Sequence, residues 1–207
     1  MKTTEWYADS KTFNYNNWGI KYKTGGDEGE ILLLIHGFPT SSWDWQKIWP
    51  KLTKSYAVVA PDLLGFGQSD KPNGHNYTIH EQAKILESLM LDSGKTNFHI
   101  LAHDYGNTVT QEMLAAFLDR KRVEDNSLNI LSICFLNGGL FPEMHRPVLT
   151  QKLLHSRYGF LFNRFLTFRS LEKNLIKVFG PDTPPSPEDL NGFWELINYK
   201  NGRSNMH

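Results

Sequence analysis

Two textures alternate along most of this chain. Short apolar runs recur at Ile31–Ile35, Tyr56–Ala60, Phe98–Leu101 and Ser127–Leu136, each closed by turn residues. Runs of this length and bounding predict strands covered on both faces. Between them the apolar positions repeat every third or fourth residue. Ile79, Ala83, Leu86 and Met90 fall on one face of a predicted helix, and Val109, Met113, Ala116 and Phe117 on one face of another. Thr78-Ile79-His80-Glu81 has the form of a capping box ahead of the first. Nearer the start, Thr12–Tyr15 and Trp18–Tyr22 flank Asn16-Asn17 and read as an antiparallel hairpin. A helix carrying Trp45, Ile48 and Trp49 is expected, interrupted or ended near Pro50. Strands alternating with helices predict an α/β fold, a mostly parallel sheet with helices on both faces.

Beyond Pro142 the pattern changes. His145–Phe179 is rich in Leu, Phe and Arg at helical spacing, with no strand signal. A Pro-rich break follows at Gly180–Pro187, where Ser186-Pro187-Glu188-Asp189 reads as a helix start with Ser as N-cap and Pro at the first helical position. The chain therefore divides into a core, residues 1–141, and a helical lid, residues 142–207.

Composition narrows the function classes. The 207 residues suffice for one core with an inserted lid. Lys+Arg and Asp+Glu each count 22, so the formal net charge is zero, and no nucleic-acid or anionic-membrane partner is expected. No run reaches membrane-spanning length, and Met1–Asn17 lacks the apolar stretch of a signal peptide. A cytoplasmic location is the expectation. The single cysteine, Cys134, lies in an apolar run and is expected to be a buried, inert thiol. Asp62, Gly65, Gly67 and Ser69 form D-x-x-G-x-G-x-S, but no Lys-Ser/Thr follows as a phosphate loop requires. A sharp, packed loop is expected there, and no cofactor or metal.

The chemistry concentrates in Asn97–Glu112, which reads NFHILAHDYGNTVTQE. An apolar run, a tight turn of small residues and a helical pattern follow one another there. Strand, sharp turn and helix are the context of a nucleophile elbow, whose usual pattern is G-x-S-x-G. Here Ala102 replaces the first Gly and Asp104 the Ser. A carboxylate gains little by attacking an ester carbonyl. Displacing a leaving group at a saturated carbon instead gives an alkyl ester that activated water can hydrolyse. An Asp at this place points to epoxide opening or carbon–halogen cleavage, while an Asp that merely caps the helix is the alternative. His36-Gly37-Phe38-Pro39 closes an earlier strand, where this architecture draws one of two backbone oxyanion donors.

Taken together, HGFP, DLLGFGQSDKP and AHDYG, in that order, resemble the α/β-hydrolase superfamily. The aspartate at the turn makes the chain similar to the epoxide hydrolase and haloalkane dehalogenase branch. The longer strings HGFPTSSWDW, LLGFGQSDKP, HDYGN and NGGLFPEMHRPVLTQKLL resemble the mesoderm-specific transcript protein family of that branch, from about Trp18 to the end. The resemblance implies Asp104 as nucleophile, the backbone N–H groups of Phe38 and Tyr105 as oxyanion donors, and His36 and Gly37 beside the substrate. Lid tyrosines of epoxide hydrolases act as acids toward the epoxide oxygen. Tyr158 and Tyr199 are the candidates here, with plain packing as their alternative.

Two departures bear on the reaction. Dehalogenases carry Trp after the nucleophile, where it helps hold the halide, and this chain has Tyr105. Asn137 stands where some of them place the catalytic acid. The superfamily pattern puts an acid after a later strand and a His after the last one. No such residues are recognised here, and the chain is expected to be the N-terminal part of a longer enzyme. The expected activity is hydrolysis of an epoxide or related small organic substrate through an alkyl–Asp104 ester. Dehalogenation is the second reading, and a catalytically silent binding protein the third.

Overall fold

The computed structural model describes residues 1–139 and 167–205. Six strands form one sheet in the order β1-β2-β4-β3-β5-β6. β1 (Lys11–Tyr15) and β2 (Trp18–Gly25) make the expected hairpin, turning at Asn16 and Asn17 with φ of 47° and 72°. Asn enters that left-handed region more readily than most residues, which suits this pair to the turn. β2 then pairs antiparallel with β4 (Tyr56–Pro61). β3 (Glu30–Ile35) lies parallel between β4 and β5 (Asn97–His103), and β6 (Asn129–Leu136) lies parallel to β5. The result is the mostly parallel α/β sheet that the run lengths predict.

Because side chains alternate across a strand, β3 feeds two cores. Leu32 and Leu34 join Trp6, Trp43, Trp45 and Trp49 on one face. Leu33 and Ile35 join Leu86, Leu89, Met90, Val109 and Met113 on the other, beneath α3 (Ile79–Asp92) and α4 (Tyr105–Arg122). Trp6 belongs to α1 (Thr3–Tyr7), a five-residue helix too short and polar for the periodicity to reveal.

Three local expectations are refined or corrected. The helix expected to be interrupted or ended near Pro50 is two pieces, a 3₁₀ segment at Ser42–Lys47 and α2 (Trp49–Leu52), parting at Ile48. Pro50 sits in the first turn of α2, where its missing N–H is no loss, so it begins a helix instead of ending one. The capping box before α3 is half made. Thr78 Oγ1 accepts the Glu81 N–H at 3.1 Å, but the Glu81 carboxylate turns to His75 at 2.6 Å. Cys134 is exposed, not buried. Its run forms β6, the edge strand among the described residues, and Leu131 and Leu136 beside it are likewise exposed.

Of the segment expected as a lid, residues 167–205 are described. α5 (Phe168–Val178) and α6 (Pro187–Asn198) are helices, as their spacing predicts. Ser186 caps α6 as read: its Oγ accepts the Asp189 N–H at 3.1 Å, and the Asp189 carboxylate accepts the Ser186 N–H at 3.0 Å. Leu171, Leu175, Leu190, Phe193, Leu196 and Ile197 join the tryptophan-lined core. No described helix is long and apolar enough to cross a membrane.

Candidate active site at the β5–α4 turn

Asp104 lies between the last residue of β5 and the first of α4. Its backbone has φ 51° and ψ −117°, a strained conformation for a residue with a Cβ. As N-cap it makes no side-chain capping hydrogen bond, so capping is not what the carboxylate does. Two glycines let the chain approach the turn. A Cβ on Gly106 would stand 2.5 Å from the Ile35 carbonyl oxygen, and one on Gly37 would stand 2.7 Å from the Asp104 Cβ. The Asp104 N–H donates to the Leu136 carbonyl at 3.1 Å, which fixes the turn to the end of β6.

The loop after β3 supplies the partner. The Phe38 N–H donates to Asp104 Oδ1 at 2.9 Å. Among the described contacts the Tyr105 N–H, at the start of α4, makes no hydrogen bond to that carboxylate. Phe66 lies between the two aromatic side chains, its ring 6.0 Å from that of Phe38 and 5.8 Å from that of Tyr105. Phe38 is 41% exposed, so this aromatic group is open to solvent on one side. Burial pushes the Tyr105 phenol up to about 12, which keeps it neutral at ordinary pH.

His36 is fully buried and holds the loop instead of facing the opening. Its Nε2 accepts the Leu63 N–H at 3.0 Å, so the proton must sit on Nδ1, which donates to the Gly37 carbonyl at 2.8 Å. Burial lowers its pKa, consistent with a neutral ring.

The D-x-x-G-x-G-x-S loop is a packed turn built on Asp62. This carboxylate is completely buried and accepts from the Tyr7 hydroxyl at 2.8 Å, the Ser42 N–H at 2.8 Å and the Gln68 N–H at 2.7 Å. It thereby ties α1, the 3₁₀ segment and the Phe66 loop together under the site. The spacing of the motif announced a sharp loop, but not the hub role of its first residue.

Tyr199 begins the 3₁₀ segment Tyr199–Asn205, and its ring has Lys71 Nζ at 5.5 Å and Lys200 Nζ at 5.8 Å from its centre. Lys71 also donates to the Gly67 carbonyl, so Tyr199 is held against the Phe66 loop, and none of its described contacts is with Asp104 or Phe38. Burial lowers the Lys71 amine to about 8. Tyr158 lies outside the described residues. Phe66, whose ring lies against both Phe38 and Tyr105, is a residue the sequence reading passed over.

Comparison with known proteins fits this geometry. The chain is 44% identical over 205 residues to a mesoderm-specific transcript homolog protein of Bos taurus, covering 95% of this chain and 60% of that protein. The chain thus spans about 60% of the length of that relative. It is 32% identical over 133 residues to a haloalkane dehalogenase of Bradyrhizobium diazoefficiens, covering 64% of this chain and 38% of the relative. Among solved structures, the epoxide hydrolase CorEH superposes with a TM-score of 0.72 at 21% identity, covering 95% of this chain and 71% of that one, a likeness of fold. The family model described as alpha/beta hydrolase fold matches residues 30–163, well over half of the chain, and the chain belongs to the alpha/beta hydrolase fold family.

Proposed function

We propose that Asp104 is the nucleophile of a hydrolase that acts on an epoxide or related small organic molecule through a covalent alkyl–enzyme ester. One observation carries this reading: a strained aspartate directly between β5 and α4, with one carboxylate oxygen 2.9 Å from the Phe38 N–H. In the first step the other oxygen attacks a saturated carbon, the C–O bond of the epoxide breaks, and the alkoxide takes a proton from a lid tyrosine or from water. In the second, a general base takes a proton from water as it attacks the ester carbonyl, whose oxygen already lies against Phe38; the acyl C–O bond breaks, the diol leaves with that proton, and the Asp104 carboxylate is regenerated. The Tyr105 N–H is the second donor in this scheme, engaged as the oxyanion forms. The general base and its acid partner are assigned to segments beyond later strands, as in the superfamily pattern. Residues 142–207, Tyr158 and Tyr199 among them, form the lid in this reading, and the location is taken as cytoplasmic.

Dehalogenation by the same nucleophile is the second reading, supported by the relative named haloalkane dehalogenase. Tyr105, in place of the Trp that helps hold a halide, weighs against it. The test is to incubate the protein with a terminal epoxide, and in parallel with a haloalkane, and to map adducts by mass spectrometry. An epoxide adduct confined to the Asp104 peptide and absent in Asp104→Asn is expected. Adduct with halide release from the haloalkane alone would favour the second reading. No adduct at Asp104 with either reagent would overturn the nucleophile.

A further inference from the structure

Asp44 has no part in the scheme above, yet its carboxyl lies within the loop that holds the oxyanion donor. It follows Trp43 in the 3₁₀ segment, and its Oδ2 is bonded to Thr40 Oγ1 at 2.5 Å. Its Oδ1 is buried without a hydrogen-bond partner. The Gly37 N–H acts on the carboxyl but does not close a hydrogen bond to it. Thr40 Oγ1 is also 3.2 Å from the Gly37 carbonyl oxygen. A hydroxyl has one proton to donate. If Asp44 is ionised, that proton goes to Asp44 and Thr40 gives nothing to Gly37. If Asp44 is protonated, its O–H donates to Thr40, and Thr40 donates to the Gly37 carbonyl.

That carbonyl belongs to the peptide unit whose N–H is on Phe38, the group bonded to Asp104 Oδ1 at 2.9 Å. A donor placed on a peptide oxygen polarises the same unit and makes its N–H the stronger donor. Resting on the reading of Asp104 as nucleophile, we propose that Asp44 is a positioning residue whose proton, relayed through Thr40 to the Gly37 carbonyl, sets the strength of the Phe38 oxyanion donor.

The surroundings favour the protonated form. The charges acting on Asp44 are Asp62 at the end of β4 and Asp104 at the elbow, both acidic. The nearby lysines are otherwise engaged: Lys47 of the same 3₁₀ segment is paired with Asp189 of α6 at 2.7 Å, and Lys71 is bonded to the Gly67 carbonyl. His36 is neutral and donates to the same Gly37 oxygen. Burial, with the two acids adding to it, raises the Asp44 carboxyl to about 7. The relay is therefore set below neutral pH and released above it. Release also places a negative charge near the developing oxyanion, so both effects weaken it as pH rises.

The experiment follows the Asp44 carboxyl carbon and the Phe38 amide by NMR from pH 5 to 9, on the whole chain, so no catalysis is needed. Asp44 is expected to titrate near neutrality, and the Phe38 amide shift to move with the same midpoint. Asn places an amide N–H where the acid has its O–H, so Asp44→Asn should hold the Phe38 amide at its low-pH position throughout. Thr40→Val should leave Asp44 titrating while the Phe38 response shrinks. An Asp44 midpoint in the ordinary carboxylate range, a Phe38 amide that does not follow, or an undiminished response in Thr40→Val would overturn the relay. A second readout is the rate at which the Asp104 adduct, once formed by the epoxide, is hydrolysed, since the oxyanion forms in that step. Measured relative to Asp44→Asn at each pH, it should fall several-fold between pH 6 and 8 in the wild type, and equal profiles in the two would overturn the role in chemistry. Absence of any Asp104 adduct would sink the proposed function instead, with the NMR titration still deciding the relay.

Discussion

Replacing Gly37 by Ala tests how closely the loop after β3 must approach the β5–α4 turn. The added methyl would stand 2.7 Å from the Asp104 Cβ, 3.0 Å from His103 Nδ1 and 3.1 Å from Asp104 Oδ1. Ordinary contact begins at 3.4 Å, so the loop must withdraw by about 0.7 Å along the worst direction. The neighbours cannot yield easily. Asp104 is fixed by its own backbone, and the loop is tied down through His36 to Leu63. Added to the 2.9 Å between the Phe38 nitrogen and Asp104 Oδ1, that withdrawal gives about 3.6 Å, which is no longer a hydrogen bond. Overpacking of this kind costs about 1–3 kcal/mol of stability. In the proposed reaction, loss of one oxyanion donor costs about 10²–10³ in the rate of ester hydrolysis. Urea denaturation should show the first, and the rate at which an Asp104 epoxide adduct is hydrolysed the second. A Gly37→Ala protein with wild-type stability and wild-type adduct hydrolysis would mean that Phe38 is not held where this argument needs it.

Asp62→Ala removes the acceptor of three buried or part-buried donors at once, the Tyr7 hydroxyl and the Ser42 and Gln68 N–H groups. At about 1–3 kcal/mol for each donor left unpaired, the loss rivals the whole stability of a typical domain, and circular dichroism should find the variant largely unfolded at room temperature. Asp44 gives a stability slope of known sign. Between about pH 4 and 7 the folded protein retains a proton that the unfolded chain has lost, so the Asp44 contribution to stability falls by about 4 kcal/mol as pH rises and is flat above 7. Asp44→Asn should therefore gain stability relative to wild type across that window, and parallel denaturation curves at pH 5 and 8 would contradict it. Cys134, exposed on β6, should react with a thiol reagent in the folded protein as fast as after unfolding. Protection in the folded state would show that something covers that strand.

How much of this was legible depends on the range of the interaction. Ile31–Ile35 and Tyr56–Ala60 announced buried strands because burial on both faces writes a continuous apolar run. Asp104 could be placed between β5 and α4 because a strand-to-helix turn is local, with strand signal before it and helix signal after it. Ser186-Pro187 gave a helix start for the same reason. Cys134 was misread because an edge strand and a central strand carry the same run, and only topology separates them. Asp62 and Asp44 were missed because their roles lie in partners brought from Tyr7, Ser42 and Gly37 by the fold. His36 belonged to a recognised motif, but which way its ring faces is decided by Leu63, a residue of another loop.

The strand order has a consequence for how the chain assembles as it is made. β4 pairs with β3 as soon as it emerges, β2 closes on β4 from behind, and β5 and β6 then add to the opposite side in the order of synthesis. Each parallel addition waits for a crossover, and translation runs at about 5–20 residues per second, so successive partners arrive seconds apart. Helices and hairpins form in microseconds and have ample time to settle in each interval. The sheet therefore grows to both sides of the β3–β4 pair, the hairpin closing one edge early and each later strand leaving a freshly exposed edge on the other. An aggregate nucleated in the cell should carry β5 or β6 at its contact, and slowing the ribosome just after either strand should increase it.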